Sequence, residues 1–371
     1  MTTPADLPAG LPADLPEEMD AFRLLAWGEA PTTVRVPVPR PQGREVLLAV
    51  EAAGLCHSDL TLIGAAPGAM GFAVPFTLGH EVVGRVVALG PDADPTLRGT
   101  FAVHGVWGCG QCRACRRGEQ NSCASITDAI GPGIGRDGGL AEYVLVPSAE
   151  HLVPADGVAA VDLAPLTDAG LTTFHALAPH RGRLRGGVAA VVGIGGLGHL
   201  ALQLLATEGL ELLAAVDPRP GARDLATHLG ADVVVADVSE VKPAVALALA
   251  ARGPLPAAEA DGSLDLVIDL VGNAATLDAA PDLLVPGGSY VVVGSGGGAA
   301  RVAKGAPWPR GFSVSAPFWG THADLVEVVH LASRGVLHAE TEQFDLSRVE
   351  EAYARLAAGE VHGRAVVIPG R

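Results

Sequence analysis

Four of the chain's five cysteines fall within fifteen residues, as Cys109, Cys112, Cys115 and Cys123 in the pattern C-x2-C-x2-C-x7-C. Four thiolates so close in sequence can converge on one tetrahedral Zn2+. A closed four-sulfur shell leaves no position for a substrate, so a structural role is expected. Free buried cysteines are the plain alternative, and the scarcity of cysteine elsewhere argues against it. Gly110 and Gly118 suit the tight turns of such a lobe, whose metal would replace a hydrophobic core. The fifth cysteine opens the run Cys56-His57-Ser58-Asp59, and Gly79-His80-Glu81 follows. A thiolate and an imidazole on separate segments suit an open, catalytic zinc site. By spacing alone, a lone buried cysteine and a satisfied core histidine are the usual explanation.

A third constellation, Gly193-Ile194-Gly195-Gly196-Leu197-Gly198, follows the apolar run ending Val191-Val192 and opens an apolar helical pattern. That is the context of a dinucleotide fingerprint: Gly193 for the tight turn, Gly195 for close approach of a pyrophosphate, Gly198 for helix packing. Asp217 ends the next apolar run, LLAAVD, nineteen residues beyond Gly198. Its carboxylate there would accept ribose hydroxyls and repel a 2′-phosphate, favouring NAD over NADP, a preference that nearby Arg219 softens. A packing turn and a strand-end turn residue are the competing readings of these two features.

The elements that must carry these groups change character along the chain. Residues 1–20, rich in Pro, Ala and acid, are read as a flexible leader. From there to about 170 come short β-rich segments such as EVLLAVEAAG, VVGRVVALG and AEYVLVPS, which suggest a barrel or irregular β-domain. From 171 to 311 helix and strand alternate (TTFHAL, VAAVVGIG, GHLALQLLATEG, LLAAVD, DLATHLGA, DLVIDLVG, GSYVVVGSG). The strands are continuously apolar, as in a parallel sheet covered on both faces. Residues 253–262 are read as a loop inside this unit. Residues 312–371 return to mixed elements and end on a closing strand, GRAVVIPG. The uncharged stretch 187–206 has the length of a membrane span, but its glycines, His199 and Gln203 fit strand, turn and helix better.

In order and approximate spacing, GLCHSDL, GHE, CGQCRACRRGEQNSC and GIGGLG resemble the zinc-dependent alcohol dehydrogenases of the medium-chain dehydrogenase/reductase family, over nearly the whole chain beyond the leader. The resemblance implies an α/β architecture: a GroES-like β-barrel catalytic domain plus a doubly wound Rossmann cofactor domain, with the active-site cleft between them. It implies two zinc ions per chain and NAD. Cys56 and His80 match catalytic zinc ligands, and Asp168 stands where the family usually has a cysteine, before Ala169-Gly170-Leu171-Thr172. Carboxylate for thiolate keeps the formal charge, and an Asp oxygen binds zinc at roughly 2.0–2.2 Å. At this position the chain is most similar to bacterial secondary-alcohol dehydrogenases. Asp168 as a mere helix cap is the alternative.

By position, Asp59 matches the carboxylate that orients the ligand histidine, Glu81 a group behind the metal, and Ser58 the hydroxyl that takes the alcohol proton. Helix capping by Ser58 and Asp59, and a structural ion pair for Glu81, are the plainer readings. The family's relay histidine is absent, with Thr61 in its place. Val271-Gly272 and Val293-Gly294 match backbone lining the nicotinamide pocket, and Arg364 an arginine that reaches the pyrophosphate. Phe318, Trp319, Trp107 and His104 match positions around the substrate.

Composition agrees. Hydrophobic residues make up 49% of the chain, and 25 Lys and Arg face 41 Asp and Glu, a net charge of −16, which disfavours nucleic acid and anionic membranes as partners. With no secretion signal in view, a cytoplasmic enzyme is expected, a homodimer or homotetramer acting on a small alcohol or carbonyl. A carbonyl or imine reductase of the same architecture is the second reading, and a non-catalytic NAD-binding relative the third.

Overall fold

The computed structural model describes residues 15–126, 129–254 and 260–370. Most of the leader and positions 255–259 of the loop lie outside the described residues. The chain forms two compact units, residues 1–168 with 321–371, and residues 169–320.

In the first unit, strand Glu18–Leu24 pairs with Thr32–Pro37 and Phe76–Thr77. It begins inside the segment read as a leader because Met19 is already buried against Val38, Leu47 and Ala88. The larger sheet runs in the order Leu152–Pro154, Thr100–Val103, Glu81–Leu89, Val46–Gly54, Arg364–Ile368, Thr341–Asp345, with Tyr143–Val146 also on Val46–Gly54. The closing strand thus lies antiparallel to an early one, Val366 opposite Gly54, and Gly54 in turn opposes Glu81. That register brings residues 283 positions apart to one place.

The second unit is a six-stranded parallel sheet in the order Val233–Val235, Leu212–Val216, Val188–Val192, Leu264–Asp269, Leu284–Val292, Ser313–Ser315. Val188–Val192 and Leu212–Val216 are buried at every position, as their unbroken apolar runs require. Strand order reverses between Val188–Val192 and Leu264–Asp269, the switch point at which open α/β sheets bind ligands beyond their carboxyl ends. Strand Ser313–Ser315 belongs to this sheet, so the return to the first unit comes at 321 and not at 312. The segment 187–206 resolves into strand Val188–Val192 and the nine-residue helix Gly198–Ala206. No helix among the described residues is long and apolar enough to cross a membrane.

Candidate active site

Strand Val46–Gly54 delivers Cys56 to the N-cap of helix His57–Ile63. Asp59, in the first turn and fully buried, accepts the Cys56 amide at 3.0 Å with one oxygen and meets His80 Nδ1 at 3.0 Å with the other. The capping role and the histidine-orienting role are therefore filled by one carboxylate. With Nδ1 so engaged, His80 turns Nε2 toward Asp168, at 3.4 Å, while Cys56 Sγ stands 3.6 Å from the same Asp168 oxygen. Cys56, His80, Glu81 and Asp168 offer ligand atoms all within 4.8 Å of one another.

These spacings can be tested against a metal. A tetrahedral zinc with sulfur at about 2.3 Å and nitrogen or oxygen at about 2.1 Å sets edges of about 3.6 Å for S···O and about 3.4 Å for N···O. The observed 3.6 and 3.4 Å match both. Electrostatics point the same way. Burial disfavours a charged His80, yet the Asp59 charge and the hydrogen bonds that the protonated ring donates to Asp168, Asp59 and Cys56 outweigh it and raise its pKa well above the usual value. The cluster favours positive charge where a metal would sit.

Glu81 is fully buried, ion-paired to Arg364, and burial pushes its pKa to about 7 against the opposing Arg364 charge. Its Oε2 has no hydrogen-bond partner among the described residues. Gly54 leaves room for it, since a Cβ there would run into the Glu81 carboxylate. Arg364, matched to a pyrophosphate contact, is thus placed on Glu81 and is only 4% exposed. Ser58 is exposed, with its hydroxyl 3.6 Å from Cys56 Sγ. Thr61 donates to the His57 carbonyl in an ordinary intrahelical bond.

The four clustered cysteines form the second ligand group. Cys109 and Cys115 sulfurs are 4.0 Å apart and those of Cys112 and Cys123 3.9 Å, near the roughly 3.8 Å edge of a four-sulfur zinc shell and too far for a disulfide. Backbone amides of Cys109, Cys112, Cys115 and Ser125 point at these sulfurs. Hydrogen bonding, chiefly from the Gln111 amide, draws the Cys109 thiol down to about 6, while burial pushes Cys115 up to about 12.

In the second unit the glycine-rich turn follows strand Val188–Val192. A Cβ at Gly198 would strike the Gly193 carbonyl, so that glycine closes the turn on itself, while a Cβ at Gly195 would meet only the Arg219 guanidinium, at 3.9 Å. Asp217 accepts the Ile194 amide at 2.8 Å, and both its oxygens also hold Arg219, through Nε at 3.0 Å and Nη2 at 3.0 Å. Its pKa is lowered because these bonds overcome the effect of burial. The carboxylate expected to face a ribose is therefore occupied, and Arg219 must move before hydroxyls can reach it.

Of the aromatic residues matched to the substrate pocket, His104 and Trp107 belong to the first unit and Phe318 and Trp319 to the second. His104 is buried, its ring 6.0 Å from His322. Trp107 donates to the His104 carbonyl and packs on His151. It lines a cavity of about 630 Å³ with Met19, Tyr143 and His151, whose lining includes none of Cys56, His80, Glu81 and Asp168. Phe318 and Trp319 lie in the second unit, edge to face at 6.1 Å, Phe318 49% exposed. The sequence reading allowed a structural ion pair for Glu81 but missed Arg364 as its partner and the role of Gly54; Gly54, two residues before Cys56, was the one available signal.

Residues 42–157 match the alcohol dehydrogenase GroES-like domain, and residues 196–334 the zinc-binding dehydrogenase domain. An NAD-dependent alcohol dehydrogenase of Sulfurisphaera tokodaii is 32% identical, over 95% of this chain and 100% of its own length. The chain belongs to the zinc-containing medium-chain alcohol dehydrogenase family. Membership makes the first unit a GroES-like domain, the parallel sheet a Rossmann-type domain, and the protein an oxidoreductase. Other members span different substrates: a D-arabinose 1-dehydrogenase (NADP(+)) of Saccharolobus solfataricus is 33% identical over 90% of this chain and 93% of its own. The acetophenone reductase of Geotrichum candidum, solved with NAD, superposes with a TM-score of 0.80 at 30% identity, covering 96% of this chain and 99% of that one.

Proposed function

We propose that the protein interconverts a small alcohol, secondary by preference, and its ketone or aldehyde, with hydride exchanged with NAD, and that Cys56, His80 and Asp168 hold the catalytic zinc. The observation that carries this reading is the agreement of the two edges at Asp168 with a tetrahedral zinc shell. Zinc bound there supplies Lewis acidity that lowers the pKa of the substrate hydroxyl. Asp59 fixes the His80 tautomer, so that Nε2 is presented unprotonated to the metal. Ser58, exposed beside Cys56, receives the alcohol proton and hands it on to solvent. Glu81, held by Arg364, lends the buried site negative charge without competing for its outer face. Cys109, Cys112, Cys115 and Cys123 hold a second, structural zinc.

In the Rossmann-type unit, Gly193, Gly195, Gly196, Leu197 and Gly198 would receive the pyrophosphate at the helix N-terminus, and Asp217 the adenosine ribose. Release of Arg219 from Asp217 places a guanidinium near the 2′ position, so NAD is preferred but NADP is tolerated. Val271, Gly272, Val293 and Gly294 line the nicotinamide side. A physiological carbonyl reductase is the second reading, favoured by the similarity to acetophenone reductase. Assembly as a homodimer or homotetramer is part of the proposal.

Rates of NADH formation on primary and secondary alcohols, and of NADH consumption with the matching carbonyls, test it. Turnover of secondary alcohols is expected to exceed that of primary ones. Absence of turnover in both directions would overturn the reading.

A further inference from the structure

Asp269 ends the strand Leu264–Asp269 at the switch point of the parallel sheet, is fully buried, and ion-pairs with no cation among the described residues. A carboxyl group buried in an apolar core persists only with several hydrogen-bond partners. One carboxylate oxygen accepts the amides of Val271 and Gly272, each at 2.9 Å. The other accepts the Thr276 hydroxyl at 2.6 Å and the Tyr290 hydroxyl at 3.0 Å. Its own carbonyl accepts the amides of Val293 and Gly294, at 2.8 and 3.0 Å. One residue thus fixes both segments that leave the sheet at the ends of two adjacent strands. Those segments meet backbone on backbone: a Cβ at Gly272 would strike the Gly294 carbonyl, and one at Gly294 would strike Val271. The carbonyls of Val271 and Gly272 then accept Gly296 and Gly298 at 2.9 Å each, so the bracing continues outward.

The sheet order says which part of a ligand these segments meet. With the adenosine on the side of strand Leu212–Val216, where Asp217 lies, a dinucleotide crossing the switch point puts its second nucleoside over the ends of Leu264–Asp269 and Leu284–Val292. We propose that Asp269 is a positioning residue for the nicotinamide half of the cofactor, acting through the paired turns at Val271–Gly272 and Val293–Gly294. The proposal rests on the cofactor reading above. Burial and the Asp269 charge hold the Tyr290 hydroxyl protonated, as a donor to this carboxylate.

The consequences of substitution differ among the partners. The Thr276 and Tyr290 hydroxyls have second acceptors, the Asn273 carbonyl at 3.1 Å and the Thr276 carbonyl at 2.9 Å. Asp269→Ala therefore strands chiefly the Val271 and Gly272 amides. Asp269→Asn keeps an oxygen for those amides and turns its amino group to the hydroxyl oxygens.

The test compares binding of NAD with that of ADP-ribose, which lacks the nicotinamide, by titration calorimetry on the full chain. Asp269→Ala is expected to weaken NAD by about tenfold or more while ADP-ribose stays within about twofold, with Asp269→Asn restoring NAD affinity. Tyr290→Phe, which leaves every backbone bond of Asp269 in place, is expected to lower NAD affinity by about twofold to threefold and spare ADP-ribose, and keeps the test decisive should the alanine variant not fold. Equal weakening of both ligands, or of neither, in whichever variants fold overturns the proposal. Unaltered protein that binds neither ligand removes the cofactor reading itself, and the proposal with it.

Discussion

The two ligand groups of the first unit are built in opposite ways. The four cysteines fall within fifteen residues of sequence, and Cys109 is exposed. They lie on and around the four-residue helix Arg113–Arg116 and the short turns that flank it, with Cys115 and Cys123 buried. Cys56, His80, Glu81 and Asp168 come from the ends of strands and helices up to 112 positions apart, and Cys56, His80 and Glu81 are buried. In the first group the metal would make the structure; in the second the structure has already set the ligand spacing, and Asp59 and Arg364 have set the orientation. Loss of a ligand should therefore cost folding in one place and chemistry in the other.

The largest effect should come from the assembled group. Asp168→Asn preserves shape and capping ability but removes the ligand charge, and kcat is expected to fall by about a hundredfold or more, because several kcal/mol of Lewis-acid stabilisation is at stake. The melting temperature should barely move. Full activity in that variant would make Asp168 a cap and leave the cluster without a third ligand, whereas Asp168→Cys should retain zinc. Asp59→Asn comes next: loss of the carboxylate behind His80 should reduce activity or metal affinity by about 10- to 100-fold, read by steady-state kinetics and by zinc competition with a chelator.

Cys112→Ser reverses the pattern. Its melting temperature should drop by about 4 °C or more, with the folded fraction keeping its kcat. A variant that melts like the unaltered protein would break the contrast at its structural end. The smallest effect belongs to the other unit: Asp217→Ala should raise the KM for NAD by about tenfold and narrow the gap to NADP, since a buried acceptor and a repulsive charge are both lost. Unchanged kinetics with both cofactors would mean that Asp217 serves only Arg219 and the glycine-rich turn.

What could be read from sequence followed the same division. The cysteine lobe and the Gly193–Gly198 turn are local, so spacing alone exposes them, and the unbroken apolar runs gave the strands at Val188–Val192, Leu212–Val216, Leu264–Asp269 and Leu284–Val292, though not Val233–Val235. Asp168 was visible only as a departure from a resembled pattern, and its approach to Cys56 and His80 depends on how the first unit folds. The Glu81–Arg364 pair was out of reach because it depends on sheet register, with Gly54 facing both strands. Strand Ser313–Ser315 was missed because three exposed or half-exposed residues at a sheet edge carry no apolar signature. Asp217 was legible as a strand-end acid but its capture by Arg219 was not, since a side chain two residues on can turn either way. Asp269 had the same signal as Asp217, an acid ending an apolar run, and was passed over because no motif spacing singled it out.

The most direct measurement is the zinc content of undialysed protein by elemental analysis, in the unaltered chain and in Asp168→Asn. Two zinc ions per chain are expected in the first and close to one in the second, because only the assembled group loses a ligand. One zinc in the unaltered chain, or two in the variant with activity intact, would contradict the account of Cys56, His80 and Asp168 as a catalytic zinc site.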